Sequence, residues 1–148
     1  MRAWSIFVLA LAGFFIVDHQ LKALFLEGYY REGRCIDLVL HLNRGVAFSM
    51  FTFLGPWLKW VQAVIIVGIV WFFIKERYIV TMPFASAMII AGALGNLYDR
   101  FTQGAVVDYV AWHCGFTWPV FNLADVLIDA GIVLIVWSLW RRERQRKV

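Results

Sequence analysis

Two aspartates have the types and surroundings that could do chemistry. Asp108 lies in Gly104-Ala-Val-Val-Asp108-Tyr109, and Asp125 in Phe121-Asn122-Leu-Ala-Asp125, at the head of an apolar run reaching Trp140. A carboxylate at bilayer depth is costly unless it is paired, solvated or protonated, so one retained there marks a candidate functional site. Two carboxylates that meet cannot easily both ionise, and one keeps the proton. The ionised member can take a proton from water as the water attacks a carbonyl, while the protonated member donates to the carbonyl oxygen. That is aspartic-protease chemistry, and it calls for no metal and no other cofactor. Competing chemistries lack their residues. The three histidines are scattered, with no His-x-x-x-His or His-Glu-x-x-His spacing, and no serine sits beside an evident Lys or His base.

The elements that must position these aspartates are membrane spans. Of the 148 residues, 62% are hydrophobic and only 16% charged, where a soluble domain carries about 25% charged residues. Mean hydropathy is +0.72. Four apolar stretches have the length a bilayer demands: residues 4–25, 58–74, 82–98 and 120–140. The first follows Arg2 like a leader, but without a clear small-x-small cleavage site it reads as a retained span. The expected fold is therefore an α-helical integral membrane protein, one membrane domain over residues 1–148 with four transmembrane helices and a basic tail at 141–148. An even span count puts both termini on one side, and the tail (Arg141, Arg142, Arg144, Arg146, Lys147) makes that side cytoplasmic. Lys75 and Arg77, between spans two and three, agree. The net charge of +4 comes largely from this tail; it reads as a topology anchor against membrane lipids, not a nucleic-acid surface. Trp4, Trp71, Trp137 and Trp140 fall near the cytoplasmic interface, and Trp57, Trp60, Trp112 and Trp118 near the outer one.

Between the first two spans, Ile36, Leu38, Leu40 and Leu42 alternate with Cys35, Asp37, His41 and Asn43, broken only by Val39, a half-buried strand pattern ahead of an Asn43-Arg44-Gly45 turn. Residues 106–118 offer a second β-rich segment, so a small extracytoplasmic sheet is expected above the helices. Cys35 and Cys114 both fall on that outer side. A disulfide is conceivable in an oxidising compartment, but the expectation is buried or free thiols, and no Cys-x-x-Cys spacing supports zinc or redox chemistry. In the third span Ala87, Ala91 and Gly95 recur every four residues, a face for close helix packing.

Helical spacing collects polar residues on shared faces. Asp18 can pair with Lys22; Asn96 and Arg100 flank Asp99; Asn122, Asp125 and Asp129 form one stripe. Most of these converge at the outer interface. There the chain resembles the lipoprotein signal peptidase (signal peptidase II) family of bacterial inner-membrane aspartyl proteases, through five blocks in order. Asp18-His-Gln-Leu-Lys22 resembles the family's Asp-Gln-x-Thr/Ser-Lys block, with Leu21 in place of the small hydroxyl residue. Asn43-Arg-Gly45-Val-Ala-Phe48 resembles Asn-x-Gly-x-Ala-Phe. Gly92-Ala-Leu-Gly95-Asn96-Leu-Tyr-Asp99-Arg100 resembles Gly-x-x-Gly-Asn-x-x-Asp-Arg. Gly104-Ala-Val-Val-Asp108-Tyr109 resembles Gly-x-Val-x-Asp-Phe, with Tyr109 for Phe, and Phe121-Asn122-Leu-Ala124-Asp125 resembles Phe-Asn-x-Ala-Asp.

The resemblance implies a catalytic dyad of Asp108 and Asp125, with Asn43, Gly45, Asn96, Arg100 and Asn122 lining the substrate site. It also implies a prolipoprotein substrate whose cysteine carries diacylglycerol, cut just before that cysteine at the outer face of the inner membrane. Nothing requires more than a monomer. Residues 43–53 are the expected covering loop. Asp99, Asp18 and Lys22 are read as structural, with Asp18 and Lys22 pairing and snorkelling at the interface. Asp129, outside the family pattern, is read as a protonated packing residue or a modulator of the dyad. The structural alternative for the dyad is ion pairing with Arg100 or Lys22. The rival functions are a transporter, which would string carboxylates through the bilayer, and a non-catalytic assembly or lipid-binding protein.

Overall fold

The structure is a computed structural model, and it describes residues 1–45, 52–116 and 118–146. The elements are α1 (Arg2–Leu26), β1 (Ile36–Asn43), a 3-10 segment (Thr52–Trp57), α2 (Leu58–Lys75), a single turn α3 (Tyr78–Thr81), α4 (Pro83–Thr102), β2 (Val106–Trp112) and α5 (Leu123–Arg146). Among the described residues, three helical stretches are long and apolar enough to cross a membrane: Arg2–Leu26, Phe53–Lys75 and Leu123–Arg146. No more than 17% of the most apolar window of each is buried. Outward-facing apolar side chains of this extent suit lipid as the solvent, and the chain is a multi-pass membrane protein.

The stretch expected as the third span became α4, which does not pass the same test of apolarity. Its position explains why. α4 packs against α1, α2 and α5, and every residue from Ala85 to Ala93 is buried. A helix wrapped by other helices needs small residues rather than a lipid-compatible surface. Ala87 and Ala91 are wholly inaccessible. A Cβ on Gly95 would collide with the Asp18 carboxylate of α1, and one on Gly92 with the Ala124 carbonyl of α5. Both glycines are therefore required by the approach of the flanking helices.

The helix ends sort by chemistry. Phe7, Phe73, Ile79, Ile89 and Ile90 cluster at one end, while the buried charged side chains Asp18 and Lys22 of α1 and Asp99 and Arg100 of α4 gather at the other. The basic tail is not separate: α5 runs on to Arg146, with Arg141 over the Trp137 ring and Arg144 over Trp140 at 5.8 and 4.0 Å from the centroids.

The expected sheet is a two-stranded antiparallel pair, β1 with β2. Its register corrects the simple alternation. Leu38 pairs with Val110 but His41 with Asp108, so β1 carries one extra residue in a bulge. A one-residue shift exchanges the two faces of a strand. Without it, Asn43 would lie on the face opposite Asp108; with it, the Asn43 amide Nδ2 donates to Asp108 Oδ2 at 3.0 Å.

The expectation for the cysteines was wrong. Cys35 and Cys114 form a disulfide joining the start of β1 to the end of β2, and beside it the His113 N–H donates to the Cys35 carbonyl at 3.0 Å. Sequence placed both thiols on the outer side, but their meeting depends on strand register across a separation of 79 residues. Closing so long a loop restricts the unfolded chain, and reduction, or Cys35→Ser with Cys114→Ser, is expected to cost about 2–4 kcal/mol. Thermal unfolding in detergent, with and without reductant, checks this; equal midpoints would show that the bridge contributes no stability.

Candidate active site

The polar end is built around the first turn of α5. A helix start leaves its first N–H groups without intrahelical partners, and here side chains from three elements take them. The Leu123 N–H donates to the Tyr109 hydroxyl of β2 at 3.0 Å. The Ala124 N–H donates to Asp18 Oδ1 of α1 at 3.0 Å. The Asp125 N–H donates to Asn122 Oδ1 at 3.0 Å, while the Asn122 N–H donates back to Asp125 Oδ2 at 3.2 Å. That reciprocal pair is a capping box with Asn122 as N-cap, and it fixes the direction of the Asp125 carboxylate. Burial pushes the Tyr109 phenol up to about 12, so it remains neutral at its capping position.

Asn122 then ties the two aspartates together. Its Nδ2 donates to Asp108 Oδ1 at 2.7 Å and also faces the Val107 carbonyl and Asn96 Oδ1, at 3.2 and 3.1 Å. Asn96 Nδ2 in turn donates to Asp125 Oδ1 at 2.8 Å. Asp108 thus accepts from Asn43 and Asn122, and Asp125 from Asn96 and the Asn122 backbone. Neither forms an ion pair with Arg100 or Lys22 among the described residues, against the structural alternative. Asp108 is 2% exposed. Burial raises its carboxyl to about 6, with the Asn43 amide opposing that rise and the nearby charge of Asp125 adding to it.

Behind the aspartates lies a buried charge cluster. Lys22 Nζ is 2.8 Å from both Asp18 Oδ2 and Asp99 Oδ2 and donates to Asn96 Oδ1 at 2.9 Å. The expected Asp18–Lys22 pairing and the structural role of Asp99 hold, but snorkelling does not: Lys22 and Asp18 are each 1% exposed. Asp99 also accepts the Val107 N–H at 3.2 Å, joining α4 to β2.

In front is a cavity of about 410 Å³, lined by Asn43, Asn96, Arg100, Asp108, Asp125 and Asp129 together with apolar residues such as Val61, Ile65 and Ile128. Of the predicted site residues, Asn43, Asn96, Arg100 and both aspartates meet here. Gly45 stands one contact away, its carbonyl accepting from Arg100 Nη2. Asn122 is fully buried, holding the carboxylates from behind. Asp129 is exposed rather than packed, so the packing reading is corrected. Most of the expected covering loop, residues 46–51, lies outside the described residues. Gln62 of α2 escaped the sequence reading: its Oε1 accepts from Arg100 Nη1 at 2.9 Å and its Nε2 donates to the Ala93 carbonyl at 3.2 Å. A lone glutamine within an apolar span was the available signal.

The chain is similar to known proteins over nearly its whole length. The family model described as Signal peptidase (SPase) II matches residues 10–141. The lipoprotein signal peptidase of Sulfurovum sp. (strain NBC37-1) is 57% identical over 136 residues, 92% of this chain and 93% of the relative. That of Wolinella succinogenes is 39% identical over 144 residues, covering 97% and 96%. A solved bacterial membrane enzyme, determined by the in meso method, superposes with a TM-score of 0.79 at 29% identity, covering 91% of this chain and 87% of the other. The family match spans the elements that carry both aspartates, the asparagines and the buried lysine, and by it the chain belongs to the signal peptidase II family of aspartic peptidases.

Proposed function

We propose that the chain is a membrane aspartyl endopeptidase that removes the signal peptide from diacylglyceryl-modified prolipoproteins, cutting just before the lipidated cysteine. The observation that carries the reading is the bridge through Asn122, which holds Asp108 and Asp125 at the wall of one cavity. Water bound between the carboxylates is the nucleophile. One carboxylate takes a proton from the water as it attacks the scissile carbonyl, and the other gives its proton to the carbonyl oxygen; as the resulting gem-diol collapses, the first passes its proton to the leaving amine and the second takes one back from a hydroxyl. Asn43, Asn96 and Arg100 hydrogen-bond the substrate backbone, Gly45 anchors Arg100, and Asn122 positions the dyad. The similarity to lipoprotein signal peptidases supports the substrate class.

The membrane arrangement follows the same reading. α4, 20 residues long, spans about 30 Å and completes a four-helix bundle forming one domain, active as a monomer. The protein lies in the bacterial inner membrane with both termini cytoplasmic and the sheet and dyad at the outer face. The disulfide supports that side, since such bonds persist in oxidising compartments. Carboxylates gathered at one end, not distributed through the depth, disfavour the transporter reading.

The test is cleavage of a diacylglyceryl-cysteine lipobox peptide by detergent-purified protein in the presence of EDTA, with the product identified by mass. A new amino terminus at the lipidated cysteine is expected; an intact peptide beside folded protein would reject the proposal. The pH dependence is a second check. With Asp108 near 6, a lower pH protonates it, and with Asp108 taken as the base the dyad then has none. kcat/KM should therefore rise with pH through an acid limb near 6, and a flat profile between pH 5 and 7 would remove Asp108 from the reaction.

A further inference from the structure

A second cavity, of about 370 Å³, adjoins the first and shares Leu58 and Arg100 with it. Its walls include Arg44, just past β1, and Lys59, in the first turn of α2. Three cations thus face one cavity, and among the described residues no carboxylate lines it. Arg44 and Lys59 form no ion pair among the described residues. The Lys59 ammonium sits 4.9 Å from the Phe101 ring centroid, a contact that orients the charge without neutralising it. Arg100 gives its two terminal nitrogens to neutral acceptors, the Gln62 side chain and the Gly45 carbonyl, and its buried Nε has no partner among the described residues.

Cations gathered around one cavity favour an anion as its occupant. We infer that this cavity is a subsite for an acidic side chain of the substrate, within the first three residues after the cleaved bond. The inference rests on the peptidase reading and extends it to specificity. The shared wall carries the argument. Arg100 borders both cavities, so Arg44 and Lys59 line the cavity next to the one that holds the dyad. Three extended residues cover about 10 Å, the reach that sets the window of substrate positions. The signal peptide and the lipid chains are apolar and suit the Val61, Ile65 and Ile128 side of the first cavity, whereas the mature segment must leave toward water, where Arg44 is exposed.

The experiment compares lipidated lipobox peptides carrying Asp, Asn or Lys at the second position after the cut. For wild type, kcat/KM for the Asp peptide should exceed that for the Asn peptide by about three- to tenfold, with the Lys peptide poorest and the ratio shrinking as salt rises. Arg44→Gln with Lys59→Met should bring the Asp-to-Asn ratio close to one; Arg44→Gln alone, which leaves the Phe101 contact intact, should lower it part way. A wild-type ratio of one, or a ratio unchanged in both variants, overturns the subsite. So does a ratio of one combined with a dependence of turnover on phosphatidylglycerol that Arg44 and Lys59 control, which would assign the cavity to a lipid headgroup. Binding of the same fluorescent peptides to Asp125→Asn protein separates this inference from its foundation. If wild type cleaves none of the peptides, the peptidase reading fails, and the Asp-to-Asn binding ratio, by the same criteria, decides the subsite alone.

Discussion

Asp125→Asn is expected to lower kcat by about 10³-fold or more while the protein keeps its fold. General acid–base catalysis by a positioned carboxylate contributes roughly 10²–10⁴, and a dyad acts as one unit. Asp108→Asn should therefore cost about as much, and the double variant little more than either. The fold should survive because Asn at position 125 keeps an oxygen for the Asn96 amide, now at 2.8 Å from Asp125 Oδ1, and because the Leu123, Ala124 and position-125 N–H groups are capped from Tyr109, Asp18 and Asn122. Single-turnover cleavage of the lipidated peptide measures the loss, and a thermal midpoint in detergent reads the fold. An Asp125→Asn enzyme keeping more than about a tenth of the wild-type rate would mean that water is activated elsewhere.

Lys22→Met is expected to have the largest effect on stability. Lys22 touches no part of the cavity, yet it is the cation between Asp18 and Asp99, at 2.8 Å from each. Removing one partner of a buried ion pair leaves an uncompensated charge and costs about 3–5 kcal/mol. Here two carboxylates would be stranded. Asp18 caps Ala124 and Asp99 holds Val107, so the disturbance reaches both segments that carry the dyad. Asp18→Asn and Asp99→Asn added to Lys22→Met should recover part of the lost midpoint by removing the stranded charge, even if activity stays low. If Lys22→Met melts as wild type does, the cluster is not what holds α1, α4 and α5 in place.

The third-span expectation shows where hydropathy stops being informative. Residues 85–93 pack on all sides, and Asn96, Asp99 and Arg100 follow at the polar end. A helix shielded from lipid by its neighbours has no need to be uniformly apolar, so its composition reports its neighbours as much as the membrane. The strand shows the same limit. The alternation of Ile36 to Leu42 located β1, but the bulge between Leu38 and His41 decided that Asn43 faces Asp108.

Sequence alone determined that the chain lives in a membrane and that its helices run where the apolar stretches lie, and it singled out Asp108 and Asp125 as the candidate carboxylates. Those properties are local: hydropathy, period and motif are set by residues near one another in the chain. Only the tertiary structure decided that Asn122 is both an N-cap and the link between the aspartates, that Lys22 is buried between two carboxylates, that Gln62 holds Arg100, and that Cys35 meets Cys114. Apart from the local Asn122 cap and the Asp18–Lys22 pair, each is a contact between segments distant in sequence. Its partner is chosen by helix packing and strand register, and neither leaves a periodic trace in the residues it joins.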